Sequence, residues 1–120
     1  MKPSPRILVV DDHEDIVAML RLALGRHGFE IDSTTSPQEA LAKAETTPYD
    51  AALLDLVMPG QDGTALAAAL RETIPGLPIG LLTAFTHSPL IPAAQRAGVT
   101  VFTKPVAIQD LVDFLRAALA

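Results

Sequence analysis

The sequence predicts an α/β domain built on a parallel sheet, and three observations predict it. Short apolar runs alternate with longer amphipathic stretches, the pattern of strands joined by crossover helices. The runs are rich in Val, Leu and Ile without strict polar alternation, which suits strands covered on both faces. Four of the runs lead into a chemistry-bearing residue: Asp11-Asp12, Asp55, Thr83 and Lys104.

The elements follow in order. The first strand covers about Arg6–Val10, and a helix runs from about Glu14 to His27 with Ile16, Leu20, Ala23 and Leu24 at helical spacing. Gly28 supplies its left-handed stop. The second strand is about Glu30–Ser33. Ser36-Pro37-Gln38-Glu39 then reads as a capping box with proline at the first helical position, opening a helix that ends near Thr46. The third strand is about Asp50–Leu54, and the turn-rich loop Met58-Pro59-Gly60-Gln61-Asp62-Gly63 follows it after Asp55. A third helix over Thr64–Thr73 is stopped by Pro75-Gly76-Leu77-Pro78. The fourth strand is about Ile79–Thr83. A less regular stretch, Phe85–Pro92, precedes a short helix ending at Gly98; Pro92 disfavours helical geometry at Ile91, so a late start is expected. The fifth strand is Val99–Thr103. The last helix, Ile108–Leu119, carries one apolar stripe of Ile108, Leu111, Val112, Leu115 and Leu119.

Composition narrows the function. The 120 residues are expected to form one domain over 1–120, with 49% hydrophobic residues to fill its core. A net charge of −5, with nine scattered basic residues, argues against direct nucleic-acid binding by this domain. The absence of cysteine excludes disulfides and thiolate metal sites. Met1-Lys2-Pro3-Ser4-Pro5 leads into a strand rather than a signal-peptide core, and no apolar run approaches the roughly 18 residues of a membrane span. A cytoplasmic protein with no membrane association is expected.

Each polar residue has an ordinary explanation when taken alone. An Asp between strand and helix commonly caps the helix. Thr83 could simply end a strand, and Lys104 could be a solvated lysine. Together they say more. In the strand order 2-1-3-4-5, strands 1 and 3 are neighbours at the topological switch point, and ligands bind outside the carboxyl ends of such strands. Asp11, Asp12 and Asp55 would then converge, and like charges about 4 Å apart repel by about 4 kcal/mol at an effective dielectric of about 20. Such a cluster calls for a cation. All-oxygen ligands in an incomplete shell suit Mg2+, which keeps waters and recruits phosphate. Lys104 adds a fixed positive charge. His13 and His27 read as surface or helix-end groups rather than ligands, His87 falls near the expected site mouth with no partner assigned, and Asp62-Gly63 reads as a turn and helix start.

With these residues in place, the chain resembles the receiver domain of two-component response regulators. The resemblance covers essentially the whole sequence. It is carried by Val9-Val10-Asp11-Asp12, Leu53-Leu54-Asp55-Leu56-Val57-Met58-Pro59-Gly60, Leu82-Thr83-Ala84 and Thr103-Lys104-Pro105. It implies a flavodoxin-like, doubly wound five-stranded parallel sheet and a phosphorylation switch rather than an enzyme. By the same resemblance, Asp55 is the phosphoacceptor, charged by a histidine kinase or a histidine phosphotransfer protein. Asp12, Asp55 and the Val57 backbone carbonyl would hold Mg2+, with Asp11 acting mainly through a water. Lys104 would pair with Asp55 and then with a phosphoryl oxygen, and Thr83 would bind another. The Lys104-Pro105 bond is expected to be cis.

Two features depart from the family pattern. Val101 stands where an aromatic side chain usually swings inward, while Phe102 takes the opposite face of the strand. Pro92 lies on the helix 4–strand 5–helix 5 face, through which many relatives dimerise, so a dimer on that face is an open expectation. The switch is therefore expected to run through Thr83 and the Ala84–Pro92 loop. Haloacid-dehalogenase-like phosphatases need Asp-x-Asp after strand 1, which adjacent Asp11-Asp12 does not supply. A flavin-binding module lacks its phosphate loop here, and the intact set of site residues argues against a non-phosphorylated interaction module. The output and the cognate kinase are not legible, nor is whether this is a stand-alone receiver or part of a larger regulator.

Overall fold

Five strands and five helices alternate along the chain in a computed structural model that describes residues 4–58, 62–84 and 89–120. They are β1 (Arg6–Val10), α1 (Glu14–Gly25), β2 (Glu30–Thr34), α2 (Pro37–Thr46), β3 (Ala51–Asp55), α3 (Gly63–Thr73), β4 (Ile79–Thr83), α4 (Leu90–Arg96), β5 (Thr100–Thr103) and α5 (Ile108–Leu119). The sheet is parallel throughout in the expected order β2-β1-β3-β4-β5.

Strand parity divides the core. Leu8, Val10, Ala52, Leu54, Ile79 and Leu81 pack toward α2, α3 and α4, through Ala40, Leu66, Leu70 and Ala94. Ile7, Val9, Ala51, Leu53 and Leu82 face α1 and α5, through Leu20, Leu24, Leu111 and Leu115. Successive strand residues point to opposite faces, so a sheet covered on both sides needs unbroken apolar runs. The same parity puts Val101 with the α4 cluster and Phe102 with the α5 cluster, as expected. Phe102 meets Phe114 edge to face at 5.5 Å between ring centroids. A side chain at Gly80 would strike Leu53, Phe102 and Phe114 at 3.0–3.3 Å, so the ring pair occupies space that glycine leaves over β4.

Several boundaries and one cap differ from the sequence reading, and β3, α3 and β5 each shift at an end by a single residue. Helix α1 ends at Gly25 rather than His27, with Gly28 at φ 91° completing the stop. Strand β2 reaches Thr34. Ser36 caps α2 by accepting from the Glu39 amide at 3.2 Å, but its own amide donates to Thr34 Oγ1 at 3.1 Å. The box is thus closed by Thr34 instead of Glu39. Helix α4 starts at Leu90, not late. Pro92 occupies its third position, where a missing N–H costs no intrahelical bond, and Ile91 is helical. The helix is short, as expected. The Pro59–Gln61 turn, His87 and residues 85–88 of the expected switch loop lie outside the described residues.

Helix α4 is anchored at its C-terminal end. Arg71 of α3 donates from Nε to the Leu77 carbonyl at 3.1 Å, from Nη1 to that of Ala97 at 2.6 Å and from Nη2 to that of Gly98 at 3.2 Å. Arg71→Ala should cost about 1–2 kcal/mol in urea unfolding, since it removes several charge-assisted bonds at a partly exposed site. Amide exchange should rise most at Gly98 and Val99; unchanged exchange there would show that the guanidinium anchors nothing.

Candidate functional site

The carboxyl ends of β1, β3, β4 and β5 deliver their polar residues to one edge. Asp55 is the last residue of β3, and Asp11 directly follows β1; both carboxylates are buried. The Asp11 carboxylate turns back on its own chain, its Oδ1 accepting from the His13 amide at 2.9 Å. Thus His13, not Asp11 or Asp12, takes the cap position of α1, and it makes no side-chain capping bond there. Thr83 is buried at the end of β4, and the Lys104 amide donates to its carbonyl at 2.7 Å. The Lys104-Pro105 bond after β5 is cis, as expected.

The predicted residues come together. Donor atoms of Asp11, Asp12, His13 and Asp55 lie within 4.8 Å of one another. Lys104 Nζ donates to Asp11 Oδ2 at 3.0 Å and lies 3.6 Å from Asp55 Oδ1. Its tightest partner is therefore Asp11 rather than the expected Asp55. Above them opens a cleft of about 550 Å³ lined by Asp12, His13, Asp55, Val57, Met58, Ala84 and Lys104.

His13 is the residue that sequence reasoning missed. Its Nδ1 stands 2.9 Å from Asp11 Oδ1, 3.1 Å from Asp12 Oδ1 and 3.8 Å from Asp55 Oδ2. An imidazole two residues beyond a strand-end Asp can fold back on that carboxylate. Acid-acid-His at a strand end was therefore the available signal.

Backbone packing fixes where Asp55 sits. The Gly63 amide donates to the Leu56 carbonyl at 2.7 Å, and Asp62 caps α3 by accepting from the Ala65 amide at 2.9 Å. A Cβ at Gly63 would stand 2.5 Å from the Asp55 carbonyl oxygen and 2.9 Å from the Leu56 Cα. Only glycine lets α3 begin so close to the end of β3.

Electrostatics separates the buried carboxylates. Burial opposes ionisation of Asp11, but the His13 amide, the His13 ring and the Lys104 ammonium outweigh it and hold this carboxyl below the usual value. Asp55 is pushed up to about 6, chiefly by burial and next by the charge on Asp11, with Lys104 offsetting part of the rise. His13 is raised by its hydrogen bond to Asp11 and by the charges of Asp12 and Asp11. Asp12 Oδ1 is buried and accepts no hydrogen bond, with only the His13 ring nitrogen 3.1 Å beside it, so a carboxylate oxygen that lines the cleft is left for a ligand. That orphaned oxygen and the oxygen-rich donor set fit a hard divalent cation.

Comparisons agree with this geometry. The family model described as "Response regulator receiver domain" matches residues 7–116. Transcriptional regulatory protein PrrA of Mycobacterium leprae is 37% identical over 117 residues, covering 97% of this chain and 50% of the relative. Alkaline phosphatase synthesis transcriptional regulatory protein PhoP of Bacillus subtilis is 42% identical over 81 residues, 68% of this chain and 34% of that protein. The chain spans about half the length of the first of these, and less of the second. Among solved structures, a CheY-like receiver domain protein from Methanospirillum hungatei superposes with a TM-score of 0.90 at 28% identity, covering 97% of this chain and 94% of that one. Chemotaxis protein CheY4 of Vibrio cholerae gives 0.86 at 30% identity, covering 97% and 99%.

Proposed function

Since this chain belongs to the family of response-regulator receiver domains, we propose that it is a signalling switch whose phosphoacceptor is Asp55. A single observation carries the reading: one buried, charge-crowded carboxylate ends the central strand β3, faces an open cleft and has an ammonium 3.6 Å away. In the proposed step an Asp55 carboxylate oxygen attacks the phosphorus of a phosphohistidine on a histidine kinase or phosphotransfer protein. A P–O bond forms as the P–N bond breaks, and the departing imidazole takes its proton from solvent.

Catalysis of such a transfer consists of in-line positioning and neutralisation of equatorial charge. Mg2+, held by Asp12, Asp55 and the Val57 carbonyl with Asp11 acting through water, would supply part of that neutralisation. In this reading Lys104 leaves Asp11 for a phosphoryl oxygen as the charged phosphoryl group arrives at Asp55. Thr83, buried at the end of β4, is the hydroxyl assigned to a second oxygen. Ala84 lines the cleft with a small side chain and leaves the acceptor open to the donor.

Among the described residues no helix is long and apolar enough to cross a membrane. A cytoplasmic setting and recognition by a histidine kinase belong to the proposal, on the strength of the family.

Incubation with phosphoramidate and Mg2+ followed by intact mass should show one phosphoryl adduct, absent from Asp55→Ala. Chelation by EDTA and the substitution Asp12→Ala should each abolish labelling, with circular dichroism unchanged in Asp12→Ala. An adduct that persists in Asp55→Ala would overturn the acceptor assignment. Undiminished labelling in EDTA would overturn the metal role.

A further inference from the structure

His13 approaches all three carboxylates through one nitrogen. In an octahedral shell with bonds of about 2.1 Å, adjacent ligand atoms stand about 3.0 Å apart and opposite ones about 4.2 Å. His13 Nδ1 is 2.9 Å from Asp11 Oδ1, 3.1 Å from Asp12 Oδ1 and 3.8 Å from Asp55 Oδ2. The first two separations match octahedral edges, and the third falls between an edge and a diagonal. Asp12 Oδ1, the oxygen left without a hydrogen bond, shares one of those edges. The ring reaches in from the solvent side, its side chain 61% exposed, so it can turn without disturbing the core.

We infer that His13 Nδ1 is itself a metal ligand, giving this site a nitrogen–oxygen shell that accepts a borderline transition cation such as Zn2+ or Ni2+ as well as Mg2+. The inference rests on reading Asp11, Asp12 and Asp55 as the cation site. Imidazole suits Zn2+ and Ni2+, whereas carboxylate, carbonyl and water suit Mg2+, so one added nitrogen shifts preference between the two classes. On ligation Nδ1 gives its lone pair to the metal and the ring proton resides on Nε2. Contact with Asp11 Oδ1 then changes from a hydrogen bond to a shared edge in the shell of the borderline cation, which takes this oxygen in place of the water assigned to Asp11 with Mg2+. The competing account makes His13 a counter-ion that any divalent cation expels. The two differ in sign, because loss of an expelled counter-ion strengthens binding of every cation, whereas loss of a ligand weakens only the cation that used it.

The test uses the full, unphosphorylated chain with Zn2+ or Mg2+ alone. Long-range proton–nitrogen correlation spectra of labelled histidine rings separate Nδ1-bound from Nε2-bound imidazole. One equivalent of Zn2+ should lock His13 in the Nδ1-bound form while His27 and His87 remain unchanged. By calorimetric titration, His13→Ala should lower the ratio of Zn2+ to Mg2+ affinity by about tenfold, with Mg2+ binding as tight as before or tighter. An unaltered melting curve would show that the variant is folded. A His13 ring untouched at Zn2+ saturation, an Nε2-bound ring, or equal changes in both affinities would overturn the proposal. Such a failure with Mg2+-dependent labelling of Asp55 intact leaves the phosphorylation reading standing; loss of that dependence as well brings down both.

Discussion

Gly63→Ala is expected to lower Asp55 phosphorylation by about a hundredfold, the scale on which a misplacement of about 1 Å acts on a positioned reaction. The added methyl would meet backbone, not a yielding side chain: the Asp55 carbonyl at 2.5 Å and the Leu56 Cα at 2.9 Å. Either α3 retreats or the end of β3 shifts, and both options move the acceptor relative to Lys104. Overpacking of this kind costs about 1–3 kcal/mol, so a lower urea midpoint is expected alongside the slower labelling. Phosphoramidate labelling at saturating Mg2+, followed over time, reads the rate. A variant that labels at the wild-type rate would show that Asp55 is not positioned by this contact.

Asp55→Asn should stabilise the metal-free protein by about 1–2 kcal/mol near pH 7, because it deletes a charge that folding disfavours. The sign follows from the shift. The Asp55 carboxyl is raised from 3.8 to about 6 in the folded state, first by burial and then by Asp11. Between those values the folded chain holds a proton that the unfolded chain has released. The contribution of this residue to stability therefore falls as pH rises through that window and levels off above it. Asp11, held low by His13 and Lys104 against its burial, works in the other direction and loses its contribution as pH falls through its depressed value. Urea unfolding in EDTA should show the advantage of Asp55→Asn growing from near zero at about pH 4 to its full size at about pH 7. A difference independent of pH would mean that ionisation of Asp55 is not what burdens the fold.

Much of this was legible in the sequence, for a physical reason. A strand covered on both faces must be apolar along its length, so the first polar residue after each run marks where it reaches the sheet edge. Asp11, Asp55, Thr83 and Lys104 were legible on that basis, as were the strand order and the opposite faces of Val101 and Phe102. What escaped depends on neighbours distant in sequence or on side-chain direction. The Ser36 amide went to Thr34, one residue beyond the expected end of β2, so the reciprocal bond from Glu39 could not be read from the box. Pro92 looked like an obstacle because its distance from the helix start was unknown; at the third position it is tolerated. The sequence pattern puts His13 at the surface, and it is indeed mostly exposed, but only three dimensions show its inner nitrogen against three carboxylates.

The ring pair over Gly80 has a bearing on how such a chain can diverge. Phe102 and Phe114 fill a volume that exists because position 80 carries no side chain. These three positions, on β4, β5 and α5, are thereby tied into one heritable unit. A side chain acquired at position 80 would oblige Leu53, Phe102 and Phe114 each to give by a few tenths of an ångström, so the change is easiest where ring volume at 102 or 114 is already reduced. Because Phe102 adjoins Val101 in the same strand, a backbone shift of β5 that relieved crowding over Gly80 would also move the residue facing α4 on the opposite side of the sheet.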